Sequence, residues 1–402
     1  MITGLLFLNQ KAELIISRMY RTSFAAKTVA DTFRTQVLGA KDFGRSPVKF
    51  FGGQSFMFIK HGNMYGSSPN GGVLMMAGDD HGCVSSTISH QSEYGFIGAS
   101  LPVLNPATID ELISFGLFGF ALSRYSGLWV GMKSIAELIE AGASIDLAPL
   151  PAFARPTLVN TADGLHIRWP DAPGLHLEDR MEAKLDAAAI FAAANPVDRV
   201  IHGNDDARIG FVTTGKAHGD LMETLRLLGL DNAACRELSI DIYKIGLAWP
   251  IEEQGAAAFM RGKTEIIVVE EKRGIVEEQI RSLATRMGPV RPEHITGKLG
   301  PDGGRFIPST GELSPDLLLP LVAARLDARC SGHDFCGRAA ELLPPPSRQN
   351  SPTFPQRAPH FCSGCPHNSS TKVPEGSESL AGIGCHFLVT LMDRDAKYVC
   401  QM

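Results

Sequence analysis

The sequence predicts an α/β protein built from parallel layers. Two stretches, 73–132 and 208–284, alternate short apolar runs with amphipathic helical segments, the rhythm of strand, crossover helix and parallel strand. At 402 residues the chain has room for two or three domains. With 44% hydrophobic and 20% charged residues, wholesale disorder is excluded.

The elements follow in order. The first 68 residues sustain no period, and helical propensity is read only at 12–19 and 28–37. The run 73–77, bounded by Gly71-Gly72 and Gly78-Asp79-Asp80, suits a buried strand that ends in a polar loop. Another such run is 101–104. Thr108 then offers an N-cap, with Asp110 and Glu111 in the first turn. Leu112, Phe115, Leu117, Phe118, Ala121 and Leu122 give that helix a wide apolar face. A strand is expected at 128–132, a Pro-bracketed crossing at 149–173 and a helix at 180–194.

A second unit opens with a strand at 208–214 that ends in Thr213-Thr214-Gly215. Leu221, Leu225 and Leu228 share one face of the next helix, which Gly229 closes. Strand 238–242, helix 252–261, strand 265–270 and helix 276–284 complete the unit. The Gly-rich stretch 297–312 reads as loop and 315–328 as helix. Residues 341–359 are rich in proline and read as an extended linker to a short tail, 360–402.

The formal net charge is −5 and the pI about 6.2, with no long basic block, so neither nucleic acid nor an anionic membrane is the expected partner. The most apolar stretch, 112–122, falls short of the ~20 residues that a membrane span needs. Met1–Gln10 lacks both a basic region and a small-residue cleavage site, so it is not expected to be a signal peptide. A cytoplasmic location is expected. Five of the eight cysteines lie after residue 329, which points to local chemistry in a reducing compartment and not to a disulfide scaffold.

The tail holds the densest chemistry: Cys362-Ser363-Gly364-Cys365-Pro366-His367, then Gly382-Ile383-Gly384-Cys385-His386. Four readings are open. Zinc would take Cys362, Cys365, Cys385 and one His, such as His386, with a single CxxC knuckle present. An iron–sulfur site would use a longer cysteine run. The glycines would let backbone N–H groups approach a diphosphate. The bland reading is two tight turns with buried thiols.

A second constellation, Asp79, Asp80, His81, Ser85, Ser86 and His90, follows a predicted buried strand. In open α/β sheets, ligands gather beyond the carboxyl ends of strands. The same residue types also build capped turns. Thr213-Thr214-Gly215 could meet an anion at a helix N-terminus or serve only as a turn. Glu270-Glu271 could be an acid/base pair or a solvated strand exit beside Lys272 and Arg273.

Together, GDDHGC and the following HQSEY, LSRYSGLWVG, RIGFVTTGKAHGD, IIVVEEKRGIVEEQI and the FCSGCPHNSS and GIGCH loops resemble a known family. They resemble the indolepyruvate ferredoxin oxidoreductases, the large fused bacterial kind within the thiamine-diphosphate-dependent 2-oxoacid:ferredoxin oxidoreductases. The resemblance covers about 60–402 and leaves 1–59 divergent. It implies parallel-sheet thiamine-diphosphate-enzyme modules. These would be a partial pyrimidine-type domain at 60–200, a transketolase-C-terminal-like domain at 201–340 and the start of the diphosphate-binding domain at 360–402. The implied reaction is oxidative decarboxylation of an aryl-2-oxoacid such as indolepyruvate, giving an acyl-CoA and passing electrons to ferredoxin.

The resemblance also implies roles. His81 and His367 would be catalytic. Cys362, Gly364, Cys365, His367, Gly382, Ile383, Gly384, Cys385 and His386 would lie beside thiamine diphosphate. Asp79, Asp80, His81, Ser85, Ser86 and His90 would form a substrate loop. No metal ligand is expected within the chain: the Mg²⁺ ligands and any iron–sulfur cluster would belong to a partner or missing region, with coenzyme A as co-substrate. The family's cofactor-activating Glu loop is not found before residue 59, nor its GDG-type Mg²⁺ motif by residue 402. The expectation is therefore a truncated chain, inactive alone, that works with missing domains or as a homo-oligomer. The alternatives are a non-catalytic interaction fragment or a Cys/His metal-binding tail on an α/β scaffold.

Overall fold

The computed structural model describes residues 63–84, 86, 89–145, 151–157, 164–343, 358–382 and 384–397, and the backbone of four short strands before residue 58. The chain divides into two compact units. One comprises Met1–Met57, Ser85–Ile88 and Pro345–Met402; the other comprises Phe58–Val84 and Ser89–Pro344.

The first unit begins with two antiparallel pairs. β1 (Gly4–Leu8) pairs with β2 (Leu14–Met19), and β3 (Val48–Phe51) with β4 (Gln54–Met57). Where a helix was expected at 12–19, residues 14–19 are thus a strand. Ile15 and Ile16 are β-branched, and β1 supplies the hydrogen-bonding partner that outweighs local propensity. The helix expected at 28–37 lies outside the described residues.

The larger unit holds two sheets. The first is built in chain order from β5 (Val73–Asp79), α1 (Glu93–Gly98), β6 (Val103–Leu104), α2 (Ile109–Ser126), β7 (Trp129–Ile135), α3 (Ala136–Ile139) and α4 (His176–Ala194). All seven residues of β7 are buried, as expected of a central strand covered on both faces. β5 and β6 flank β7 in parallel register. Thr108 stands at the N-cap of α2 as expected, but its side chain makes no capping bond. The Glu111 carboxylate instead reaches back past the cap and accepts from the Ala107 N–H at 2.8 Å, pinning the chain just before the helix. α2 ends at Gly127, whose φ of +77° and contact with the Leu165 carbonyl leave no place for a side chain. Phe118, Tyr125 and Phe191 of α2 and α4 meet Phe153 in tilted and edge-on ring contacts within the core of this layer.

The second sheet follows with β8 (Arg199–Val200), β9 (Ile209–Thr214), α5 (Lys216–Leu227), α6 (Asn232–Glu237), β10 (Ile240–Ile245), β11 (Leu247–Trp249), α7 (Glu253–Met260), β12 (Glu265–Val269), α8 (Ile275–Arg286), β13 (His294–Thr296), α9 (Pro315–Asp327) and α10 (Phe335–Leu342). Its order is β13-β12-β9-β10-β8, parallel except for β8 at the edge. β9, β10 and β12 are buried along their whole length. β11 leaves this sheet and pairs antiparallel with β6 of the first. One core, containing Phe96, Val103 and Trp129 with Val212, Ile266 and Val268, is shared by both sheets.

In the tail, described by itself, α11 (His367–Ser370) follows the CxxC turn. A 3₁₀ segment spans Gly384–Leu391, and β14 (Ser379–Leu380) pairs in parallel with β15 (Ala396–Lys397). Phe361, Ala381 and Val389 form its small core.

Candidate functional site

The carboxyl ends of β5, β7, β9 and β12 gather a buried polar cluster in the larger unit. β5 ends at Asp79, and the chain turns through Asp80 and His81, all three buried. β7 delivers Lys133, β9 delivers Thr214 and then Lys216 at the start of α5, and β12 is followed by Glu270-Glu271-Lys272. Ligands meet α/β sheets at such strand ends because helix N-termini and polar turns converge there.

His81 is the centre of one half. Its Nδ1 lies 2.9 Å from Glu271 Oε2 and its Nε2 lies 3.8 Å from Asp79 Oδ2. Neither ring nitrogen makes an aligned hydrogen bond, so these are close ionic contacts. Burial alone would lower the imidazole pKa, but Asp79 and Glu271 outweigh it and raise the value. Burial would raise the Asp79 pKa, yet His81, Lys133 and Ser92 together bring it down to about 2. Lys133 bridges Glu93 at 2.6 Å and Asp79 at 3.5 Å. Lys272 Nζ donates to the His81 carbonyl at 2.7 Å and so fixes the turn.

Lys216 is the centre of the other half. It lies 2.9 Å from Glu312, 3.0 Å from Asp220 and 3.8 Å from Glu271. Burial raises the Asp220 pKa to about 6 against the pull of Lys216. Between the halves is a cavity of about 10 Å³, room for about one water, lined by Glu93, Asn105, Lys133, Thr214, Lys216 and Glu271 among others. Asp79 Oδ1, Glu93 Oε2, Ser134 Oγ and Thr214 Oγ1 are buried with no hydrogen-bond partner. Orphaned buried atoms are costly, so their concentration here is a feature that a purely structural core would avoid.

Glu270 and Glu271 are both buried, which corrects the reading of a solvated strand exit. Their roles differ. Glu270 accepts from the N–H groups of Ile275, Val276 and Glu277 and so caps α8, while burial lifts its pKa to about 7. Glu271 faces His81 and accepts from the Leu313 N–H.

The sequence-expected residues divide between the two units. Asp79, Asp80, His81 and His90 come together: the Asp80 N–H lies 3.4 Å from His90 Nδ1, and Asp80 Oδ1 accepts from the Val84 N–H. Ser86 is half-buried, and Ser85 lies outside the described residues. In the tail, Cys365 Sγ stands 3.2 Å from His367 Nδ1, and His386 Nδ1 accepts from the Gly382 N–H at 2.7 Å. The rings of His367 and His386 lie 6.1 Å apart. Cys362, Gly364, Gly384 and Cys385 are exposed, and Ile383 lies outside the described residues. Among the described residues, no group of three or more His, Cys, Asp or Glu could hold a metal ion, and no helix is long and apolar enough to cross a membrane. Lys133, Lys216, Asp220 and Glu312 were not expected at a site. Lys216 was the one within reach, since it follows Thr213-Thr214-Gly215 directly.

Two mixed, mainly parallel sheets with a charged cluster at their strand ends make this an α/β protein. Residues 199–334 match the indolepyruvate oxidoreductase domain. Indolepyruvate oxidoreductase subunit IorA of Methanothermobacter thermautotrophicus is 23% identical over 335 residues, covering 79% of this chain and 48% of that protein. The same subunit of Thermococcus kodakarensis is 22% identical over 339 residues, covering 81% and 48%. The chain thus spans about half the length of these curated relatives. A different protein, AP-2 complex subunit mu of Dictyostelium discoideum, is 48% identical over 65 residues, or 16% of this chain and 14% of that one. Among solved structures, 2-oxoglutarate:ferredoxin oxidoreductase from Magnetococcus marinus aligns at a TM-score of 0.36 with 14% identity, covering 56% of this chain and 42% of that one.

Proposed function

We propose that the chain is part of a larger enzyme that oxidatively decarboxylates an aryl-2-oxoacid of the indolepyruvate kind. The product is an acyl-CoA and the electrons pass to ferredoxin. The observation that carries the reading is the indolepyruvate oxidoreductase domain at 199–334, within a chain whose likeness to IorA extends over 79% of its length.

Thiamine diphosphate is the cofactor of this reading. The tail fits a diphosphate in one respect. Beside Gly364 and Gly384, at φ of +75° and +71°, no atom lies within 4 Å of where a Cβ would stand, so a phosphate can approach the backbone. The loops at Cys362–His367 and Gly382–His386 would hold it. The Gly382 N–H is already given to His386 and is not offered. When bound, the cofactor supplies an electron sink for decarboxylation. The chain's own part is to hold protons at the His81 and His367 rings and to present Asp79, Asp80 and His90 as a polar loop for the oxoacid. Mg²⁺ ligands and any iron–sulfur cluster belong to the remainder of the enzyme.

The test uses the native assembly. The chain is precipitated with its partners from its own cells and supplied with thiamine diphosphate, Mg²⁺, coenzyme A and indolepyruvate. Reduction of a viologen dye that requires both coenzyme A and the oxoacid is expected. An assembly with no such reduction would sink the reading. If that inactive assembly instead contains a longer homologue, the chain is a non-catalytic interaction fragment.

A further inference from the structure

We propose that the turn between β12 and α8, residues 270–273, is a clasp that sets the position of the His81 ring, and that Lys272 is its positioning residue. Four charged residues in a row would suit a solvated exit, yet Glu270, Glu271 and Lys272 are buried. The two carboxylates have fixed partners. Glu270 takes the first N–H groups of α8, and its own carbonyl accepts from Lys298 Nζ. Glu271 Oε1 accepts from the Leu313 N–H at 3.0 Å, which leaves Oε2 for His81.

Lys272 joins these fixed points to the loop that follows β5. Its backbone is left-handed, at φ +56°, a conformation that a residue with a Cβ rarely adopts. Strain of this kind persists where the surroundings over-determine it, and it concentrates where a group has to be held. Here the inversion goes with a long-range contact. Lys272 is 6% exposed, and its Nζ donates to the His81 carbonyl at 2.7 Å, across 191 positions of sequence. A bond to that carbonyl fixes the backbone from which the ring hangs. Arg273 grips the same loop further on. The Arg273 N–H and Nε each lie 3.3 Å from Gln91 Oε1, and Gln91 Nε2 donates to the Arg273 carbonyl at 3.2 Å. The Arg273 guanidinium lies 3.9 Å from the centre of the Tyr94 ring. The loop is thus held at His81 and again at Gln91 and Tyr94.

What the clasp sets is the charge around the ring. Asp79 at the end of β5 and Glu271 in the clasp face His81 with negative charge, and Lys133 of β7 opposes them. Glu271 is the nearer carboxylate, and the attraction weakens as the two separate. Without its bond to Lys272 the turn after β5 relaxes, the ring moves off Glu271, and its proton affinity falls. Lys272 is itself a cation, so loss of its charge alone would act the other way and raise that affinity. Positioning and charge therefore differ in sign. As a statement about catalysis the inference rests on the oxoacid reading, in which His81 holds a proton; as a statement about placement it stands apart from it.

NMR titration of the full chain with isotope-labelled histidine tests it without turnover, the His81 signal being assigned by its loss in His81→Gln. The parent ring is expected to titrate above the ordinary 6.5. Lys272→Gly removes the amine and suits the left-handed backbone, so the fold is kept; it should lower the proton affinity of His81 about tenfold, or about one pH unit. Lys272→Met removes the amine with the strain retained and should lower it likewise. A His81 midpoint that is unchanged or raised in Lys272→Gly would overturn the proposal, because a residue that only staples the fold, or only supplies charge, gives those results. A parent ring that titrates at the ordinary value would overturn it too. Because no oxidation is measured, failure here leaves the oxoacid reading standing, and the reverse also holds.

Discussion

His81 Nδ1 lies 2.9 Å from Glu271 Oε2, and this contact ties the turn after β5 to the end of β12. It joins a residue of the first sheet's strand end to one of the second's, 190 positions along the chain. The folded state raises the His81 pKa, because Asp79 and Glu271 outweigh burial. The folded protein therefore binds this proton more tightly than the unfolded chain. That stabilisation is complete below the ordinary imidazole value of 6.5 and fades as pH rises through the higher folded value. His81→Gln should cost on the order of 3 kcal/mol at about pH 5.5 and progressively less in alkali. Urea unfolding of both proteins across that range checks it; a gap that does not change with pH would contradict the assignment.

Glu265 anchors α9 to the sheet. It is fully buried at the start of β12 and accepts from both Arg325 and Arg329, and from the Thr296 hydroxyl of β13. Burial pushes its pKa up, but Arg325, Thr296 and Arg329 prevail and lower it. Its contribution is therefore present above the ordinary value of 4.5 and is lost as pH falls through the lower folded value. Glu265→Gln leaves two guanidinium groups without their counter-charge and should cost about 3–5 kcal/mol at neutral pH. Chemical denaturation at about pH 7 and pH 3 measures the loss, which should shrink in acid.

Lys184 is buried without a close carboxylate. Its Nζ donates to the carbonyls of Asn63 and Met64 at 3.2 and 3.0 Å, and burial with Arg180 nearby lowers its pKa to about 7. Here the unfolded chain binds the proton more tightly, so stability rises with pH between about 7 and the ordinary 10.5. Lys184→Met removes the charge but also two hydrogen bonds. The variant should be about 2 kcal/mol more stable than the parent at pH 6 and less stable at pH 10. Urea midpoints at the two pH values check the crossing. A variant that is weaker at both would mean that the carbonyl bonds dominate.

The long buried strands were legible because apolar runs such as 265–270 sit between turn residues, and α2, α4, α5, α8 and α9 because their apolar faces repeat over three or more turns. What the sequence hid is of two kinds. α6 and α10, six and eight residues long, are too short to show a period and rest on the caps Asp231 and Asp334. β11 is three residues whose partner, β6, lies over 140 positions earlier, so no local pattern announces it. The site divides the same way. Asp79, Asp80 and His81 were visible as a polar run after an apolar one. Lys133 was not, because a lysine inside a buried strand makes sense only when Glu93 and Asp79 are placed around it.

Cys336 separates exposure from reactivity. It is exposed, as are Cys83, Cys362 and Cys385, whereas Cys235 and Cys330 are buried. By access alone Cys336 would react with the first group. Yet Asp327, which accepts hydrogen bonds from the Cys336 N–H at 2.9 Å and from its thiol, raises the Cys336 pKa to about 11. The thiolate is the species that attacks an alkylating reagent, so at pH 8 only about one thiol in a thousand is ready. Iodoacetamide followed by peptide mass spectrometry should find Cys83 modified well before Cys336. Asp327→Asn removes the negative charge and should bring Cys336 forward, while Cys235, held at about 11 by burial, stays unmodified. A Cys336 that keeps pace with Cys83 in the parent chain would mean that its carboxylate neighbour does not govern it.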